Sequence, residues 1–127
     1  MTTTPAIARK TSFLLESLGA QLFDSGISII DNPHLQRGLG SRAFDGEGLP
    51  TVRRAIIEKG VLTGWLMESA SARQLGLDPT GHASRGVSGA PGVSPSNVHL
   101  EGGTVRVAEL IADIKHGIYV HELAGQG

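Results

Sequence analysis

One glycine-rich stretch of the chain, residues 81–86, holds two side chains that could bind a ligand. His82 and Arg85 lie there between flanking glycines. A guanidinium presents a two-pronged hydrogen-bond donor and an imidazole a single donor or acceptor, so the pair could hold a carboxylate or a peptide carbonyl. His82 and Arg85 are therefore candidate substrate-binding residues. The alternative is a solvated loop whose polar side chains only keep it soluble.

A pair of carboxylates, Asp45 and Glu47, also lies between glycines. Two neighbouring carboxylates could in principle do acid and base work. The sequence places no partner base or pocket beside them, and turn-forming, solvated carboxylates explain them at least as well. Gly46 and Gly48 begin a dinucleotide-binding pattern, but Thr51 stands where its third glycine belongs. The nucleotide interpretation fails on that residue.

A possible metal site lies near the C-terminal end, where His116, His121 and Glu122 fall close together. A zinc site of the helical type needs two imidazoles on one helix face and a third ligand. No second histidine follows His121 at the required spacing, and Gly117 interrupts a helix between the two imidazoles. The sequence therefore assigns no metal ligand and no catalytic residue to this chain.

The composition limits the class of protein. A chain of 127 residues is the size of one modest domain. A net charge of −1, with lysine and arginine scattered, disfavours nucleic acid as a direct partner. The sequence has no long apolar run, no signal-peptide pattern at its start and no cysteine. We expect a cytoplasmic protein that does not enter a membrane.

The local pattern with the clearest structural meaning is a β-hairpin at about 52–67. Two apolar runs, 52–57 and 61–67, are separated by Glu58, Lys59 and Gly60. A glycine at that place tolerates the positive φ of a tight turn. The pattern predicts two antiparallel strands.

The remaining elements are short. We predict strands at 27–30 and 98–100, and a helix at 69–75 that Ser69 caps and Gly76 ends. Longer amphipathic patterns near both ends of the chain predict a helix from Thr4 and Pro5 to about residues 19–23, a helix from Thr104 to Gly117 and a closing strand at 118–123.

Between these elements, residues 78–97 consist largely of glycine, proline and serine. A segment of this length without apolar periodicity predicts a long, mobile loop. The fold class predicted is α+β: short antiparallel strands, helices near both ends and this loop.

Several blocks of the chain resemble the TldD/PmbA proteins. The run FDGEGLPTVRR at 44–54, followed by IEKGVL at 57–62, resembles a block of that family. The likeness continues at SARQLGL (71–77), TGHASRG (80–86), SPSN (94–97) and the segment 109–120. The chain resembles a single fragment, 1–127, of the C-terminal domain of such a protein.

The loop at 80–86, together with Ser12 to Leu15, is closer to the PmbA branch, also called TldE. The resemblance implies a non-catalytic subunit of a complex that processes unstructured peptides, with zinc on a TldD-type partner subunit and none in this chain. It also implies that peptides are held as an added strand. Two alternatives stay open: a fragment of a catalytic zinc metallopeptidase, or a module that binds a peptide or partner in gyrase-related regulation.

Overall fold

The fold is α+β, as the sequence predicts. The computed structural model describes residues 7, 12, 14–120 and 122. Four strands form an antiparallel sheet in the order β3-β2-β1-β6, and two more pair as a separate antiparallel ribbon. The elements are β1 (Ile29–Asp31), β2 (Arg54–Glu58), β3 (Val61–Leu62), α1 (Ser69–Leu75), β4 (Ala83–Ser84), β5 (Gly92–Val93), β6 (Val98–Leu100) and α2 (Val107–Ala112).

The predicted hairpin is confirmed as β2 and β3, with shorter strands than the apolar runs suggested. Glu58 pairs with Val61, which leaves Lys59 and Gly60 as a two-residue turn. Both turn residues have positive φ, 48° and 81°. A turn with two positive φ values matches the right-handed twist of the flanking strands, and it explains why a glycine occupies position 60.

The turn is also held from outside the hairpin. The Gly60 amide donates to the Ile27 carbonyl at 2.7 Å, and the Gly60 carbonyl accepts from the Leu22 amide at 2.8 Å. Gln21 forms an isolated bridge with Val61. Residues 19–23 therefore cover the outer edge of β3.

The core consists of apolar side chains from the hairpin and from the segments on either side of it. Its largest buried cluster is Ile7, Leu14, Ile56, Ile57, Leu62, Trp65 and Leu66. Their removal from water supplies the main stabilisation of the sheet.

The helix at 69–75 is confirmed, and Gly76 ends it in the left-handed conformation at φ 68°. The N-cap is Glu68 rather than Ser69, because the Glu68 carboxylate accepts from the Ser71 amide at 2.7 Å. The first predicted helix lies largely outside the described residues. Ile7 is helical, and residues 14–16 are in a turn.

The C-terminal helix differs from its prediction. It begins after Arg106 rather than after Thr104, and it ends at Ala112 rather than at Gly117. Glu109 accepts from the Arg106 amide and guanidinium, and these bonds fix the start of the helix. The predicted closing strand is not formed at residues 118–120, and residues 121 and 123 lie outside the described part.

The segment 78–97 contains structure that its composition did not indicate. Ala83 pairs with Val93 and Ser84 with Gly92, so β4 and β5 form a short ribbon. The mobility of the segment stays a prediction. Within the described residues, no helix is long and apolar enough to cross a membrane.

Replacement of Gly60 by alanine tests the turn. A Cβ there would collide with the backbone oxygens of Phe23 and Asp24, in addition to the strain of positive φ. Gly48→Ala is the matched control, since Gly48 has φ 83° and no atom within 4 Å of an added Cβ. In urea denaturation we expect Gly48→Ala to lose about 1–2 kcal/mol from strain alone and Gly60→Ala to lose clearly more. Equal losses would contradict the close approach.

Candidate functional site

The most buried charged group of the described chain is the carboxylate of Asp31, at the end of β1. It is 0% exposed. One oxygen accepts from the Ser96 amide at 3.0 Å and from the Ser96 hydroxyl at 2.8 Å. The other accepts from Nε2 of His82 at 2.6 Å. A carboxylate this far from water needs such donors to offset its lost hydration.

His82 is the second member of the cluster and is 2% exposed. A carboxylate only accepts, so Nε2 carries the proton that is donated to Asp31. In the neutral ring, Nδ1 is then an acceptor for the Thr80 hydroxyl, which lies 2.8 Å away. Thr80 in turn accepts from the Met67 amide at 2.7 Å. The interaction chain runs from β1 through His82 to the segment that follows β3.

Arg54 brings a cation to the same place. It pairs across the sheet with Asp31 in the register of β1 and β2. Burial lowers the pKa of the Arg54 guanidinium, and the nearby Asp31 carboxylate acts in the opposite direction.

Burial also lowers the pKa of His82, because a charged ring at this site would lose its hydration. The hydrogen bond and charge of Asp31 raise that pKa, while Arg54 lowers it further. The 2.6 Å contact by itself would suggest an ion pair. The loss of hydration and the Arg54 charge lower the pKa of His82 by more than Asp31 raises it. The ring is therefore neutral at neutral pH.

The two residues proposed from the sequence as a binding pair occupy different environments. His82 is enclosed, and both of its ring nitrogens have partners within the chain. Arg85, three residues later, is exposed on the segment that follows β4. Their joint role in substrate binding stays a prediction. The exposed Arg85 side chain is free to contact a ligand. The His82 ring instead holds the segment that carries Arg85 against the fold.

Asp45 and Glu47 stabilise loops. Asp45 accepts from the amides of Glu47 and Leu49 through one oxygen and from the Ala83 amide through the other, all at 2.9–3.0 Å. Glu47 accepts from the amide and hydroxyl of Ser69 at the first turn of α1. These contacts agree with the turn-forming interpretation of the pair, but Asp45 is buried rather than solvated.

A zinc site does not fit the side chains that the structure describes. Among residues 7, 12, 14–120 and 122, no three histidine, aspartate or glutamate side chains lie together as metal ligands would, and the sequence has no cysteine. His121 lies outside this part of the chain.

The chain belongs to the PmbA/TldD family: the sequence model of the PmbA/TldA metallopeptidase C-terminal domain matches residues 1–127. The metalloprotease PmbA of Escherichia coli O157:H7 is 42% identical over 122 residues, which cover 96% of this chain and 25% of that protein. A TldD homologue from Haemophilus influenzae, also named a metalloprotease, is 27% identical over 92% of this chain and 24% of its own length.

A crystal structure from Thermotoga maritima, described as a "putative modulator of a DNA gyrase", has the same fold. It superimposes with a TM-score of 0.78 at 34% identity and covers 87% of this chain and 25% of the other. The chain thus spans about a quarter of the length of the relatives it matches.

Sequence reasoning missed Asp31 and Arg54 as parts of the site. Asp31 follows a segment, 27–30, that is mostly isoleucine, and it precedes Asn32 and a proline, which is also how an ordinary turn begins. Arg54 has the appearance of an exposed strand residue, like Arg53. The signal that could have found them is the strand assignment at 27–30: a carboxylate that continues a buried strand requires a buried donor.

The pH dependence of stability tests the state of His82. Its folded pKa lies below the ordinary value of about 6.5, so below pH ~6.5 the unfolded chain binds more protons than the folded chain. The stabilising contribution is present above that pH and is lost as the pH falls, by up to ~1.4 kcal/mol per pH unit. In urea titrations from pH 8 to 5, His82→Gln should remove this component.

His99→Gln is the matched control, because His99 is exposed on β6. It should retain the wild-type pH slope. A wild-type slope in His82→Gln would contradict the neutral, buried ring.

Proposed function

We propose that this chain is part of a non-catalytic, PmbA-type subunit of a TldD/PmbA peptidase complex, and that it helps to hold unstructured peptides. The catalytic zinc would belong to a TldD-type partner subunit. The observation that best supports the branch is the higher identity to the protein named PmbA than to the protein named TldD.

A free strand edge supports the peptide-holding part of the proposal. The bonds from the Glu101 amide to Ser28 and from the Asn32 amide to Asn97 fix the register of β6 on β1. In that register the backbone groups of Val98 and Leu100 point away from β1. No strand of the described chain lies on that side.

Such an edge is suited to an extended peptide. The amides and carbonyls of Val98 and Leu100 would pair with the peptide backbone whatever its sequence. Both side chains are apolar and substantially exposed, at 46% and 62%. An unfolded peptide with apolar residues would gain both kinds of contact.

The exposed Arg85 supports the same role. Its segment is tied to the rest of the fold on both sides. The Ala83 amide is bound to Asp45, and the Ser94 amide donates to the His82 carbonyl at 3.0 Å. A cation held at a defined place on the surface can recognise a peptide carboxylate or carbonyl with less loss of entropy than one on a free loop.

Cleavage of a fluorogenic unstructured peptide tests the proposed division of labour. The chain alone should give no cleavage that a zinc chelator abolishes. Addition of the chain to a TldD-type subunit should change the rate of zinc-dependent cleavage. In a pull-down with an affinity-tagged TldD-type subunit, the chain should be retained. Chelator-sensitive cleavage by the chain alone would overturn the non-catalytic assignment.

Arg85→Ala tests the peptide contact. Loss of a charge-assisted hydrogen bond, worth about 1.5–3 kcal/mol, should weaken peptide binding by roughly tenfold or more. Fluorescence anisotropy of a labelled peptide at constant salt is the measurement. Arg106→Ala, another exposed arginine outside residues 78–97, should bind as the wild type does. Equal binding by the two variants would remove Arg85 from the site.

A further inference from the structure

Leu39 has the side-chain exposure of an unfolded chain, although the backbone around it is closely held. It is 107% exposed, so the side chain packs against nothing in the described fold. It lies in the loop 33–42, which the Arg42 amide closes by donating to the Pro33 carbonyl at 3.0 Å. A single exposed leucine is ordinary and indicates little. The contacts that fix this loop indicate that the exposure is a built feature.

The side chain of Asn97, the residue before β6, holds the loop. Its Oδ1 accepts from the Gly40 amide at 3.0 Å. Its Nδ2 donates to the Asn32 carbonyl at 2.8 Å and to the Ser41 hydroxyl at 2.9 Å. The backbone that follows Leu39 is therefore fixed against the segment that leads into β6.

Close packing and local strain accompany these hydrogen bonds. A Cβ on Gly40 would collide with the Ser96 carbonyl oxygen, and a Cβ on Gly38 would lie 2.6 Å from Oγ of Ser41. Arg37 has φ 61°, a left-handed conformation that a residue with a Cβ keeps only where its surroundings impose it. The loop thus accepts strain and close contacts in a conformation that leaves its apolar side chain exposed.

The loop lies at one end of the open edge of β6. Gly40 packs on Ser96 and binds Asn97, and these two residues directly precede Val98. Leu39 therefore stands near the Val98 end of the edge that is open to a peptide. A strand advances about 3.3 Å per residue, so a peptide paired with Val98 reaches the loop within one or two further residues.

We propose that Leu39 is the contact for one apolar side chain of an extended peptide bound on β6, at a peptide position just beyond Val98. The peptide character of the ligand rests on the proposed function. Backbone pairing along the edge does not depend on the peptide sequence, whereas this contact favours a large apolar residue over a polar one. Because the loop is already fixed, binding costs little further ordering of the protein.

Two labelled unstructured peptides of equal length and charge test the contact. One carries leucine at alternate positions and the other carries serine there, so one register of the first places a leucine beside Leu39. Fluorescence anisotropy of both is measured with the full chain at constant salt. Leu39→Ser should weaken binding of the leucine peptide about fivefold or more and leave binding of the serine peptide unchanged.

Val87→Ser is the matched control, because Val87 is 109% exposed on another segment. Neither substitution removes a packed side chain, so both variants should fold. Val87→Ser should bind both peptides as the wild type does. Unchanged binding of the leucine peptide by Leu39→Ser, or an equal loss in the two variants, would overturn the proposal.

Gly40→Ala tests the position of the loop without removal of Leu39. The added Cβ should displace the loop from Ser96 and weaken binding of the leucine peptide alone. Gly86→Ala is its control, since no atom lies within 4 Å of a Cβ added there. Wild-type preference for the leucine peptide in a folded Gly40→Ala would contradict the role of the fixed loop.

Failure of this inference is distinguishable from failure of the proposed function. A wild-type chain that binds neither peptide would contradict both. Binding of both peptides with no effect of Leu39→Ser would leave the peptide-holding edge in place and overturn the Leu39 contact alone. Leu39→Ser that loses retention on a TldD-type subunit, while it binds the leucine peptide normally, would make Leu39 a subunit contact and also overturn the proposal.

Discussion

The burial of the Asp31 carboxylate is the constraint on which the rest of the structure depends. A charge without water must be met by donors, and the donors come from parts of the chain far apart in sequence. His82 and Ser96 bind it directly, and Arg54 lies across the sheet from it. Any arrangement that separates these segments leaves an uncompensated charge in the interior. The same group thus joins the sheet to both ends of the segment 78–97.

This constraint separates polar groups that have partners within the fold from those that have none among the described residues. Asp31, His82, Asp45 and Glu47 have partners within the chain. The backbone groups of Val98 and Leu100 that face away from β1, and Nε1 of Trp65, form no such contacts among the described residues. Reactive residue types are therefore a poor guide to the site here, because the types with the richest chemistry are the ones already occupied.

The sequence predicted the elements whose cause is local. The β2–β3 turn needs positive φ and has Gly60, and α1 ends where Gly76 permits a left-handed residue. Prediction from the sequence failed for elements whose position is determined by tertiary contacts. The ribbon of β4 and β5 has no apolar alternation, and its place is fixed by bonds from Asp45 and to His82.

The site was predicted only in part for the same reason. His82 was singled out by its type and its glycine neighbours as a ligand-binding residue, and that role stays a prediction, whereas its partner Asp31 is 51 residues away. No spacing rule connects them. The start of α2 was also set by a side chain, Glu109, rather than by the threonine that capping preferences favour. Family resemblance supplied the family, because these blocks of sequence are longer than any single local pattern.

Helix α2 has no buried residue, and its apolar side chains, such as Leu110 and Ile111, are exposed. Its amides are thus protected from solvent exchange only by the hydrogen bonds of six residues, and an isolated helix of that length is marginal. The helix and the sheet should therefore behave as two cooperative units. The amide protons of α2 should exchange through local opening, whereas those of β1 and β2 should exchange only on global unfolding.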